Sequence, residues 1–131
     1  MGRKFTEKKM NDIICYWMEA VHVSNRLHVL AEYKDEATIM SLGDAIEDAL
    51  GKAENIKKDA ENKLKGVIQS AIAAGSSEFG KYSAVDAQDK LDNLMDILYD
   101  HFDDIYGYSE KEQINNFYGL LCNSLDELLA A

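Results

Sequence analysis

From Met10 to Leu128 the apolar side chains recur every three or four positions, and no stretch alternates apolar with polar residues over a strand's length. That period belongs to a helix with one face turned inward. The 131 residues include no proline, so nothing in the chain forces a long helix to break, and turns must rely on Gly, Ser, Asp and Asn. With 47% hydrophobic residues the chain can fill a core. The spacing predicts an all-α bundle of four main helices over about 6–34, 36–74, 84–106 and 110–130, with the second either continuous or broken near Gly43. All lie in one acidic helical domain, 1–131, with no internal repeat.

Thr6 is placed to cap the first helix. Met10, Ile13, Ile14, Trp17, Val21 and Ala31 form its stripe, widened by Ala20 and Leu27; Val29 and Leu30 lie off it and predict burial on more than one side. In the second pattern Ile39, Leu42, Ile46, Ala49, Ala53, Ile56, Ala60, Leu64 and Val67 follow heptad-like spacing. Gly43 followed by Asp44-x-x-Glu47 predicts a stop and restart, giving a short helix 36–42 and a long one 44–74. Gly51 and Gly66 are weaker breaks. Residues 75–82 read as the clearest loop. Ser83 then caps the third helix, with Asp86 in the place of the capping-box acid, and Ser109-Glu110-Lys111-Glu112 is a full S-x-x-E box for the last. Trp17, Leu94, Leu98, Phe117 and Leu121 each sit mid-stripe and are expected to share one core.

The third stretch carries the strongest charge signal. Leu91, Leu94, Met95, Leu98, Phe102 and Ile105 make its apolar face. On a continuous helix Asp89, Asp92, Asp96, Asp100 and Asp103 would fall within an arc of roughly 80° on the other side. Asp86 and Asp104 flank them, and no Lys or Arg lies between Lys90 and Lys111. Repulsion at i,i+4 weakens a helix slightly, so helix stability does not account for the row. The net charge is −10, and residues 76–131 hold 12 acidic against 3 basic side chains. Direct contact with nucleic acid or with an anionic membrane is disfavoured, because both are bound by Lys and Arg. A basic protein surface is favoured.

Sites for chemistry are sparse. Glu19-x-x-His22 is one E-x-x-H motif where a di-iron bundle needs two plus further glutamates, and His101-x-x-Asp104 is likewise unmatched. No metal or other cofactor is expected. His28 lies on the apolar stripe and reads as a hydrogen-bonded core histidine. Cys15 and Cys122 fit buried reduced thiols in a cytoplasmic protein. No nucleophile elbow, P-loop or dinucleotide fingerprint occurs, no run is long enough for a signal peptide or a membrane span, and Met1-Gly2 begins only a loose myristoylation pattern. Arg3, Lys4, Lys8 and Lys9, and Lys57, Lys58, Lys63 and Lys65, form two small basic clusters, either solvated or paired with acid of the same or another subunit.

The expectation is therefore a non-catalytic interaction module whose partner-binding residues are Asp86, Asp89, Asp92, Asp96, Asp100, Asp103 and Asp104. A carboxylate every three or four residues gives a row spaced about 4.5–6 Å, coarser than DNA phosphates but similar in sign and linearity. Such a row suits an antagonist covering a nucleic-acid-binding surface, in the manner of phage anti-defence or immunity proteins. The competing class is a scaffold that self-associates, as a homodimer, through helix 44–74. A helical metalloenzyme is the third.

Overall fold

A computed structural model describes residues 6–33, 42–75 and 79–130. The fold is all-α, with six helices among these residues: α1 (Glu7–Glu32), α2 (Gly43–Ala74), α3 (Ala84–Gln88), α4 (Leu91–Asp100), α5 (Phe102–Ile105) and α6 (Glu110–Ala130). The four-helix count thus becomes six, because the segment 84–106 is not one helix.

The capping signals explain where helices begin. Thr6 accepts from the Lys9 amide at 3.2 Å, and Ser83 accepts from the Asp86 amide at 3.5 Å. At α6 the Glu112 amide donates to Ser109 Oγ while the Glu112 carboxylate folds back to accept from the Tyr108 amide at 3.1 Å. A Cβ on Gly107 would lie 3.0 Å from Glu112 Cγ, so a side chain there would press on the residue that makes this reciprocal cap. At the end of α2, Gly75 takes φ 64°, the left-handed conformation glycine adopts without steric cost. Gly51 and Gly66 are not breaks; α2 runs through both. Its start at Gly43 agrees with a restart there, whereas the short helix expected over 36–42 lies, apart from Leu42, outside the described residues.

α1 and α2 form an antiparallel hairpin. Tyr16 donates to Asp59 at 3.0 Å, and further along Ser24 Oγ donates to Glu54, which also lies 2.7 Å from His28 Nε2. The segments α3–α6 cover one side of this hairpin. A single apolar cluster draws on all six helices. Trp17, Leu94, Leu98, Phe117 and Leu121 are all completely buried in it, as their spacing predicts. Trp17 is its hub, with ring centroids of Tyr99, Phe102 and Phe117 at 5.4, 5.8 and 5.9 Å.

The loop before α3 is only partly a loop in the solvated sense. Phe79 is 2% exposed and joins the core between Tyr82 and Tyr118. Tyr82 holds it in place by donating to the Cys122 carbonyl and to Asp126.

The hairpin outreaches the bundle. The common core takes nothing from α1 beyond Val21 and nothing from α2 before Ala60. Past that point the two helices bury only Ser24, Ile46 and Ala53 against each other. Val29 and Leu30 are accordingly 55% and 41% exposed, correcting the expectation that they are buried from a second side. His28 is corrected for the same reason: its stripe position lies where no third layer covers α1, so the ring is exposed.

Candidate interaction surfaces

All seven aspartates of the predicted site are exposed, but they do not form one straight row. Asp86 is on α3, Asp89 ends it, Asp92, Asp96 and Asp100 lie on α4, and Asp103 and Asp104 are on α5. Two breaks separate these groups. At the first, the Lys90 amide bonds to the Ala87 carbonyl one residue short of the α pattern. At the second, His101 takes φ −110°, ψ 25°, and its Nδ1 sits 3.1 Å from the Ile97 carbonyl that also accepts its own amide. Neither break carries Gly or Pro. The apolar face survives both, since Leu91, Leu94, Met95, Leu98, Phe102 and Ile105 are all buried. The continuous arc of carboxylates does not, and the longest regular run is the i, i+4, i+8 set Asp92, Asp96 and Asp100.

The row is also not wholly unneutralised. Lys65 reaches from α2 to Asp92 at 3.0 Å. Lys57 lies 4.8 Å from the centre of the Tyr99 ring, and Lys63 pairs with Asp59 at 3.2 Å. The α2 basic cluster is thus engaged in part with its own chain, and one of its members with the acidic segment. Lys8 pairs with Asp12 at 2.9 Å. Among the described residues, Asp92 alone of the seven aspartates has a basic partner.

The metal and nucleophile motifs do not assemble. Glu19 is exposed, and the His22 ring stacks at 4.8 Å on Tyr106. Among the described residues no three His, Cys, Asp or Glu side chains come together as a ligand group. No disulfide joins the cysteines, and burial together with the adjacent Glu110 carboxylate pushes the Cys15 thiol up to about 11, so it stays protonated. No described helix is long and apolar enough to cross a membrane.

A second surface was not anticipated. On the side of the hairpin away from α3–α6, Tyr16, Glu19, Ala20, Val23, Ala53 and Ile56 line an open groove of about 270 Å³. The groove is apolar but for Glu19. The spacing 16-20-23-27-30 on α1 is itself a heptad row, legible in the sequence beside the stripe that faces the core.

The hairpin polar cluster carries a pH prediction. Ser24, then His28, hold the Glu54 carboxyl below its ordinary value, and Lys63, then Tyr16, do the same for Asp59. A folded-state pKa below the unfolded one contributes stability that is full above the carboxylate range, about pH 4, and is lost as pH falls through the folded value. Asp59 is exposed and Glu54 half-exposed, so the effect is screened. Thermal unfolding should therefore show a smaller acid-side loss of Tm for Glu54→Gln than for the unaltered chain. Equal slopes below about pH 4 would show that Glu54 contributes nothing.

Comparison with protein-family models, with curated proteins and with solved structures found no match.

Proposed function

We propose that this protein is a non-catalytic interaction module of the cytoplasm whose α3–α5 surface covers a basic surface of a target protein, of the kind that otherwise holds nucleic-acid phosphates. The supporting observation is the exposure of all seven aspartates on one short segment, with Asp92 alone countered by a lysine among the described residues. Carboxylates so placed steer an oppositely charged partner into contact. The breaks at Lys90 and His101 divide the charge among three short helices, with Asp92, Asp96 and Asp100 as its regular centre.

The test leaves Asp92 in place, because it anchors Lys65, and replaces Asp89, Asp96, Asp100 and Asp103 together by Asn. Labelled duplex DNA is bound to the heparin-retained protein fraction of the native host, and displacement is followed as each protein is added. The unaltered chain should displace DNA at low salt and lose that ability as salt rises. The quadruple variant should fail to displace it, with association slowed by about 10²-fold or more, the span between steered and unsteered encounters. Folding should survive, and relief of i,i+4 repulsion should raise stability by about 0.2–0.5 kcal/mol per pair. Equal displacement by both proteins would reduce the patch to a solvated face.

A further inference from the structure

The groove on the back of the α1–α2 hairpin poses a separate question. Val23 and Ile56 are 43% and 48% exposed there, in a position that ordinary surface helices give to polar residues. Leu27 and Leu30 continue the α1 row beyond the groove. A two-helix layer with one face on the bundle and an apolar opposite face lacks a layer. We propose that a second copy of this chain supplies it, the two α1 helices packing antiparallel across a twofold axis that passes between His22 and Val23.

Three observations select a second copy. First, the row fits itself. Rotated about that axis, Leu27 of one copy falls midway between Tyr16 and Ala20 of the other, the knob-into-hole arrangement of heptad rows. Ala20 and Ala53 keep the groove floor low enough for a close approach. Second, the charges match. Glu19 and Arg26 are both exposed, and neither has an ion-pair partner among the described residues. The same axis sets Glu19 of each copy directly opposite Arg26 of the other, so one symmetric contact satisfies all four groups. Third, the size is of the order a dimer needs. Tyr16 to Tyr33 spans about 26 Å of α1, and two helices side by side are about 20 Å wide. That footprint, on the order of 500 Å² before side-chain corrugation is counted, approaches the ~800 Å² per partner of a standard interface. This surface lies on the other side of the hairpin from α3–α5 and does not depend on the acidic patch.

Sedimentation equilibrium on the full chain, from about 1 to several hundred μM so as to bracket micromolar dissociation constants, tests the pairing. The unaltered chain should reach twice the monomer mass, and Val23→Asp should remain a monomer with unchanged helicity, because Val23 is half-exposed in the monomer. Glu19→Arg and Arg26→Glu should each raise the dimer Kd by about tenfold, since each sets like charges opposite one another twice, and the double exchange should restore it. A monomer at every concentration would overturn the proposal, as would a dimer that tolerates Val23→Asp. So would a dimer abolished by salt and by the Asp89, Asp96, Asp100 and Asp103 changes, because that would move self-association to the charged faces.

Discussion

Replacing Trp17 by Ala is expected to lower the unfolding free energy by about 3–5 kcal/mol, the range for large aromatic truncations in a core. Trp17 is completely buried, three aromatic rings from α4, α5 and α6 close on it, and its indole N–H donates to Tyr99 Oη at 3.3 Å. Removing it would open a cavity where four helices meet and take from the Tyr99 hydroxyl one of its hydrogen bonds, leaving it the one to Glu61. Domains of this size hold about 5–15 kcal/mol in total, so the variant should melt more than 10 °C lower, on the scale of a few degrees per kcal/mol. Trp17→Phe, which keeps one aromatic ring in the cavity and loses the second ring with its N–H, should recover much of this. Thermal unfolding by circular dichroism measures both. A loss below about 0.5 kcal/mol, the surface range, would mean that α1 does not pack on α4–α6 in this register.

Phe79→Ala should cost a similar ~3–5 kcal/mol although the residue lies outside any helix. Its ring fills the space between Tyr82 and Tyr118, and Tyr82 in turn bonds to Cys122 and Asp126 on α6. The truncation therefore removes buried apolar surface and loosens the segment that delivers the chain from α2 to α3. The neighbouring control is Val85→Ala, at a position 73% exposed, which should change stability by less than about 0.5 kcal/mol. If Phe79→Ala behaves like Val85→Ala in chemical denaturation, the ring is not part of the core.

The two expectations differ in what made them readable. Trp17 lies on a stripe with Met10, Ile14 and Val21, and a period of 3.6 in a proline-free chain fixes that face inward whatever the partner helices are. The same local rule found the stripes of α4 and α6 and the caps at Thr6, Ser83 and Ser109, because a cap is made by residues three positions apart. Phe79 belongs to no period. A lone aromatic among Ser, Glu and Gly reads as a loop, and only α6 passing beneath it makes it core.

The acidic patch divides in the same way. Which side chains face water is set by the periodicity of 84–106, and all seven aspartates are exposed as that pattern requires. Their arrangement along a line is not a local property. The breaks at Lys90 and His101 occur without Gly or Pro, as α3, α4 and α5 each settle on neighbours contributed by α2 and α6. Lys65, far away in sequence, reaches Asp92 only because α2 runs antiparallel to α4. His28 and Leu30 show the converse: the stripe position of one and the apolar side chain of the other promise burial, but α1 extends past the last residue of α4–α6 that could cover them. Periodicity determines which face of a helix is apolar; only the lengths and crossings of its neighbours decide how much of that face is covered, because burial requires a second surface that the helix itself does not encode.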